Sequence, residues 1–254
     1  MNADFRRRLL AGERLVGTLL TLPDPAVPEL MRHLGYDWLF IDCEHGPFEA
    51  QQAQAMLQGA HPLPCLVRVP SSDPVWLKKM LDIGPAGVIV PQVNSPQQAA
   101  AVVAACRYPP RGERGIGVGR AHGFGPGFQD YLRNANEAVS VVVQAEHIEA
   151  VRNIEAIADV PGIDCILVGP NDLAASMGRI GELDHPDVKA AIARVRDCCR
   201  ARGIPLGCFG VTREAIREFI DQGFCLITVG VDVLYLGQAA GEMLAAVREM
   251  GDGR

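Results

Sequence analysis

The chain has 254 residues, of which 48% are hydrophobic and 21% charged, with a formal net charge of -6. This is a globular composition with ample material for a core, and it excludes the basic face that a nucleic-acid-binding protein needs. No apolar run approaches the roughly 18 residues of a membrane span, and MNADFRRRLLAGERL lacks the long apolar segment expected of a secretory signal.

From the N-terminus, Arg6, Arg7 and Arg8 form the only short basic run, expected to be the solvated face of a helix. Short, β-branched runs then alternate with longer helical patterns. Strands are expected near 16–20, 38–42, 65–69, 87–91, 139–145, 164–168, 205–209 and 225–229. Helical stretches at 25–34, 49–59, 74–83, 96–106, 148–158, 186–202 and 212–222 separate them, and a helix near 232–249 closes the chain. The strands are apolar on both faces, the pattern of a parallel sheet covered by helices. Eight such units over this length predict an α/β fold, a (β/α)8 TIM barrel, in one domain spanning 1–254. The competing open sheet would want a G-x-G-x-x-G turn after its first strand, where the chain reads TLPDPAVPEL. The glycine-rich stretch 111–127 falls mid-chain and is expected to be a long mobile loop that could serve as a lid, not a phosphate cradle. None of the eight cysteines forms a C-x-x-C pair, and five lie in strand-like runs, as for reduced thiols in a cytoplasmic protein.

Catalytic groups of such a barrel project from the C-terminal ends of its strands. Strand two ends in Asp42, Glu44 and His45; strand three carries Arg68 within CLVRVP. Strand five ends VVVQAEH, which puts Gln144 and Glu146 on one face. Strand six ends ILVGPNDL, with Asp172 just past a Gly-Pro turn. Each has a plainer explanation: His45 as a turn residue, Arg68 as a structural partner of Asp42 or Glu44, Asp172 as a helix cap. Charged groups delivered by four strands to one rim favour chemistry. Glu146 and Asp172 offer hard oxygen donors suited to Mg²⁺ or Mn²⁺. Arg68 can stabilise charge developing on an oxygen, and His45, oriented by Asp42, can move a proton near neutral pH. The GPND turn offers backbone N–H groups to a substrate carboxylate. The only lysines are Lys78, Lys79 and Lys189, none at a strand end, which argues against a Schiff base.

The motifs GYDWLFIDCEHGP, LVRVPSSDP, VPQVNSPQQA, CRYPPRGERGIG, VQAEHIEAVRNIEAI and ILVGPNDLAASMG resemble, over roughly residues 5–245, the metal-dependent (class II) pyruvate aldolases of the HpcH/HpaI type. These include 4-hydroxy-2-oxoheptanedioate and 2-dehydro-3-deoxyglucarate aldolases. The resemblance implies a barrel of the phosphoenolpyruvate/pyruvate type that assembles as a hexamer. It implies reversible cleavage of 4-hydroxy-2-oxo acids to pyruvate and an aldehyde through a metal-stabilised enolate. It further implies Glu146 and Asp172 as ligands of Mg²⁺, Mn²⁺ or Co²⁺, His45 as base held by Asp42, Arg68 at the enolate oxygen, Gln144 on bound pyruvate, and Gly169, Pro170 and Asn171 along its carboxylate. Glu44 and Asp82 are expected to support the site. The stretch LGCFGVTRE and the loop 119–129 would shape the aldehyde pocket, and the apolar C-terminal helix is expected to pack in the oligomer. Two alternatives remain: a citrate-lyase-like enzyme acting on an acyl thioester, and a non-catalytic barrel that binds an oxo acid.

Overall fold

The computed structural model describes residues 3–251. Its elements in chain order are α1 (Ala3–Leu10), β1 (Leu15–Leu20), α2 (Ala26–His33), β2 (Trp38–Asp42), α3 (Ala50–Ala60), β3 (Cys65–Arg68), α4 (Pro74–Asp82), β4 (Gly87–Val90) and α5 (Pro96–Cys106). A 3-10 turn at Arg120–His122 precedes α6 (Phe128–Ala138), β5 (Ser140–Ala145), α7 (Ile148–Arg152), α8 (Ile154–Ala158), β6 (Cys165–Val168) and α9 (Pro170–Ser176). The chain ends with α10 (Pro186–Arg202), β7 (Leu206–Gly210), α11 (Arg213–Asp221), β8 (Leu226–Val231) and α12 (Asp232–Gly251). The eight strands pair in parallel, each with its neighbours in sequence, and β8 closes on β1. The expected barrel is the observed one.

Local chemistry explains why the boundaries were readable. Asp73, Ser95 and Thr212 each cap a helix by accepting a backbone N–H, and α4, α5 and α10 open with proline. Alternate strand residues then sort into two cores. Phe40, Leu66, Ile89, Val142 and Leu167 fill the barrel interior, while the outward residues pack beneath the helices. Trp38 needs room in that interior and takes it from Gly17: a Cβ there would sit 2.5 Å from the indole. Phe5 and Leu9 of α1 plug the N-terminal end of the same core. That end also buries an ionic cluster in which Asp164 accepts from Arg6, Arg107 and the Val141 N–H. Arg6 is therefore an anchor and not part of a solvated basic face.

Three local departures from the sequence reading have physical causes. The expected helix 148–158 is broken at Asn153, whose side chain instead donates to the Asn94 carbonyl at 2.8 Å. The glycine-rich stretch runs at the N-terminal end of the barrel and not at the catalytic rim of its own chain. It is tied there by Arg120 to the Ile83 carbonyl and by Arg114 to Asp82 and Tyr131. The lid expected of 111–127 and the aldehyde-pocket wall expected of 119–129 thus do not border the rim of their own chain, and the latter segment ends in the start of α6. Finally, α12 does not cover its own barrel. It touches β1 and β8 at its base and leaves Leu234, Leu236, Met243, Leu244 and Val247 exposed. Among the described residues no helix is long and apolar enough to cross a membrane, and all eight cysteines are free and buried.

Candidate active site

β2 and β3 are in register so that Asp42 lies beside Arg68. Both point inward at the last rung of the barrel, and both are buried. Arg68 donates from Nε and Nη2 to the two carboxylate oxygens of Asp42, at 2.8 and 2.7 Å, a forked pair that lysine cannot reproduce. Its remaining nitrogen, Nη1, is 3.1 Å from Glu44 Oε2, and its guanidinium lies over the Phe40 ring. Burial opposes the charge on Arg68, but the bonds to Asp42 and the fields of Glu44 and Glu146 outweigh it.

After Asp42 the chain turns sharply, and Asp42 Oδ1 also accepts the backbone N–H groups of Glu44 and His45. His45 is thereby set at the rim with its ring largely in solvent, 3.9 Å from Glu44 Oε2. Asp42 does not orient the imidazole directly, as expected from sequence. It fixes the turn that carries His45 and the fork that aims Arg68.

β5 brings Gln144 and Glu146 to the same rim, both buried. Gln144 Nε2 donates to Glu146 Oε2, and the Gln92 N–H donates to Glu146 Oε1 at 2.8 Å. Gln92 is the residue that the sequence reading missed. It follows β4 in a left-handed conformation (φ 55°) that costs a non-glycine residue of order 1–3 kcal/mol. That geometry turns its amide toward the carboxylate. The signal lay in the quoted VPQV segment, but nothing in residue type announces a left-handed glutamine.

Burial pushes the Glu146 carboxyl up to about 7, helped by the like charges of Glu44 and Asp172 and opposed by the Gln92 N–H and Arg68. Burial likewise raises Glu44, again with Asp42 and Asp172 adding to it. Asp172 sits in the first turn of α9, whose N-cap is Gly169, with no side-chain cap. Its alternative role as a cap is therefore not realised. Gly169 must be small: a Cβ would lie 2.8 Å from Glu146 Cβ and 2.9 Å from Gln144 Nε2, filling the space between them. Pro170 is buried and Asn171 exposed at the start of α9. His147 turns away, capping α7 through Nδ1. Asp82 is not among these groups: it ends α4 at the other end of the barrel, paired with Arg114 at 2.9 Å.

Three carboxylates, Asp42, Glu44 and Glu146, thus act on one guanidinium whose charge Asp42 already matches, and the exposed Asp172 adds its charge beside Glu44 and Glu146. Gln144 Oε1 is buried without a hydrogen bond, and Glu44 Oε2 has only its ion pair with Arg68. Such a set suits a cation. Among the described residues no group of three or more His, Cys, Asp or Glu side chains is arranged to hold a metal ion. Two carboxylates with open positions left for water and substrate remain a fitting donor set for a hard divalent cation.

The sequence profile of the HpcH/HpaI aldolase/citrate lyase family matches residues 16–239. The chain is 40% identical over 244 residues to 4-hydroxy-2-oxovalerate aldolase of Rhodococcus jostii, covering 95% of this chain and 94% of that one. It is 39% identical over 250 residues to 4-hydroxy-2-oxo-heptane-1,7-dioate aldolase of Salmonella paratyphi B, covering 97% and 94%. The crystal structure of an HpcH/HpaI aldolase/citrate lyase family protein from Burkholderia cenocepacia superposes with a TM-score of 0.93 at 39% identity, covering 98% of this chain and 100% of that one. Closed barrel, rim chemistry and relatives together define a TIM-barrel carbon–carbon lyase. The chain belongs to the HpcH/HpaI aldolase/citrate lyase family.

Proposed function

We propose that this chain, acting as one domain, reversibly cleaves 4-hydroxy-2-oxo acids to pyruvate and an aldehyde. The observation that carries the reading is the gathering of Asp42, Glu44, Glu146 and Asp172, two of them buried, with Arg68 as the one buried cation at the mouth of a closed barrel. Glu146 and Asp172 would hold Mg²⁺, Mn²⁺ or Co²⁺. Such an ion supplies Lewis-acid polarisation of the 2-oxo group when bound.

The remaining steps belong to the protein. The N–H groups at the start of α9, behind Gly169, Pro170 and Asn171, seat the substrate carboxylate. Gln144, held by Glu146, offers its free oxygen and remaining N–H to the pyruvyl portion. His45 takes the proton of the 4-hydroxyl, the C3–C4 bond breaks, and the aldehyde departs. The electron pair is left as an enolate whose oxygen charge Arg68 offsets, and proton return to C3 completes pyruvate. Asp42 keeps Arg68 and the His45 turn in place, and Glu44 borders both. The lysines support this division of labour: Lys79 of α4 lies over Trp76, and Lys189 of α10 pairs with Asp184, so neither stands at a strand end.

The protein is proposed to work in the cytoplasm, in keeping with its buried free thiols, and as a homo-oligomer, a hexamer by family resemblance. The uncovered apolar face of α12 is the surface that asks for a second copy. The deciding experiment is pyruvate release from a panel of 4-hydroxy-2-oxo acids with each divalent metal, alongside methyl-proton exchange of pyruvate in D₂O. Catalysed exchange with metal-dependent release is expected. A protein that binds pyruvate and metal in calorimetry yet catalyses neither would be a binding barrel.

A further inference from the structure

Behind the rim, one half-buried amide links the segments that follow two neighbouring strands. Asn153 stands where α7 gives way to α8. Asparagine at such a place ordinarily caps the helix that follows, yet its side chain makes no cap bond to α8. Its only side-chain hydrogen bond among the described residues runs from Nδ2 to the Asn94 carbonyl at 2.8 Å, 59 positions earlier in the chain. That bond closes a circuit. Asn94 belongs to the turn after β4, and the same turn presents the Gln92 N–H to Glu146 Oε1 at 2.8 Å. Glu146 directly follows β5, and the chain runs from it through α7 back to Asn153.

The turn needs that support. Gln92 is left-handed, at φ 55°, a conformation that residues with a side chain rarely adopt, so the turn gains by relaxing unless it is pinned. It is pinned just past Gln92. Val93 is buried in the outer core, and Asn94 donates its N–H to Gln98 Oε1 at 2.7 Å while its carbonyl accepts from Asn153. The Gln98 bond ties the turn to α5, its own continuation. Of the two bonds to Asn94, only that from Asn153 reaches across to the unit that carries Glu146.

We propose that Asn153 is a positioning residue for the cation site: it locks the turn after β4 so that the Gln92 N–H holds the Glu146 carboxylate in one orientation. The inference rests on the reading of Glu146 as a metal ligand. It is tested on the full-length protein stripped of metal. Asn153→Asp keeps the shape of the side chain and a residue favoured at a helix start, but sets an oxygen against the Asn94 carbonyl. Mn²⁺ titrated by calorimetry should bind about tenfold or more weakly, the usual scale for partners that orient a metal ligand. The direction is diagnostic, because an added negative charge would by itself favour the cation. Hydrogen–deuterium exchange across 92–95 should speed up, whereas the urea midpoint should shift less than for Asp164→Ala. Excess Mn²⁺ should restore turnover to Asn153→Asp and not to Glu146→Ala. Asn153→Ser, too short to reach Asn94, gives the same contrasts should the aspartate variant fold poorly. Unchanged exchange means that Asn153 does not hold the turn. Faster exchange with wild-type Mn²⁺ affinity means that the turn does not hold Glu146. Either result overturns the inference. If Glu146→Ala leaves Mn²⁺ affinity untouched, the ligand reading itself falls and takes the inference with it.

Discussion

The barrel buries ionic groups at both ends, and the two ends are built differently. At the N-terminal end, Asp164 receives four donors: Nε and Nη2 of Arg6, Nη2 of Arg107 and the N–H of Val141, at 2.7–3.1 Å. Two cations serve one carboxylate whose oxygens are fully used, which ties α1 and the segment after α5 to the base of the barrel. At the C-terminal end the ratio is reversed. Asp42, Glu44 and Glu146 act on one arginine with Asp172 close by, Gln144 Oε1 is buried without a donor, and Glu146 is pushed up to about 7 chiefly by its burial. A closed ionic cluster serves stability; one short of positive charge is poised for an ion and a substrate.

The sharpest way to break that comparison is to empty each end in turn. Asp164→Ala strands the buried guanidinium of Arg107 and takes from the half-buried Arg6 its main partner, leaving it Glu137, and should cost about 3–5 kcal/mol of stability. The surviving folded protein should turn over at the wild-type rate. Urea denaturation beside activity per folded molecule checks both halves, and a catalytic defect without a stability loss would erase the distinction drawn here. At the other end, Glu146→Ala or Asp172→Ala should lower kcat/KM by about 10²–10³-fold and leave the fold intact. Chelation with EDTA should do the same to the wild type. Added Mg²⁺, Mn²⁺ or Co²⁺ should restore the chelated wild type and not the variants. Borohydride with pyruvate should leave mass and activity unchanged; a pyruvyl-lysine adduct would sink the metal reading.

His45 and Arg68 sharpen the contrast within the rim. His45→Ala should cost about 10²-fold in kcat for cleavage, the usual scale for a proton-transferring group. Pyruvate and metal affinity should hold, since the ring is largely solvent-exposed and nothing folds around it. Arg68→Lys should fold, keep a positive charge and lose pyruvate enolisation in D₂O, because the fork onto Asp42 needs two parallel donors. Should Arg68→Lys enolise pyruvate at the wild-type rate, the pair with Asp42 is a structural fastener like that of Asp164.

The difference between the ends also marks what the sequence could disclose. The barrel was legible because its signals are local: strand runs of Val, Ile and Leu, capping residues, and proline at helix starts. The rim was legible because Asp42, Arg68, Glu146 and Asp172 each end an apolar run, where a charge is conspicuous. What escaped depends on contacts distant in sequence or on backbone shape. Asp82 sat in an ordinary helix, and only the fold reveals that its partner is Arg114, at the opposite end from the chemistry. The stretch 111–127 read as a lid because glycine content says flexible, not where. Gln92 contributes a backbone N–H through a left-handed turn, to which its side chain is no guide.

The smallest expected effect measures what burial does to the Glu146 carboxyl. Glu146 has its folded value raised to about 7 against an ordinary 4.5. Between those values the folded metal-free protein holds a proton that the unfolded chain has released. Stability must therefore fall as pH rises through that window, by something on the order of 2 kcal/mol from this group. Other carboxylates titrate nearby, so the quantity to measure is the difference between wild type and Glu146→Gln, both stripped of metal, by urea denaturation at intervals from pH 4.5 to 7.5. The glutamine variant should lack the downward slope. Metal affinity is linked to the same proton: binding needs the ionised carboxylate, so Mg²⁺ affinity should climb with pH until about 7 and then level. The Asp164→Ala variant, by contrast, should keep the wild-type slope, its missing carboxylate lying at the far end of the barrel. If wild type and Glu146→Gln ran parallel across the window, burial would hold no proton on Glu146, and the pH dependence of Mg²⁺ affinity expected from it would be absent too.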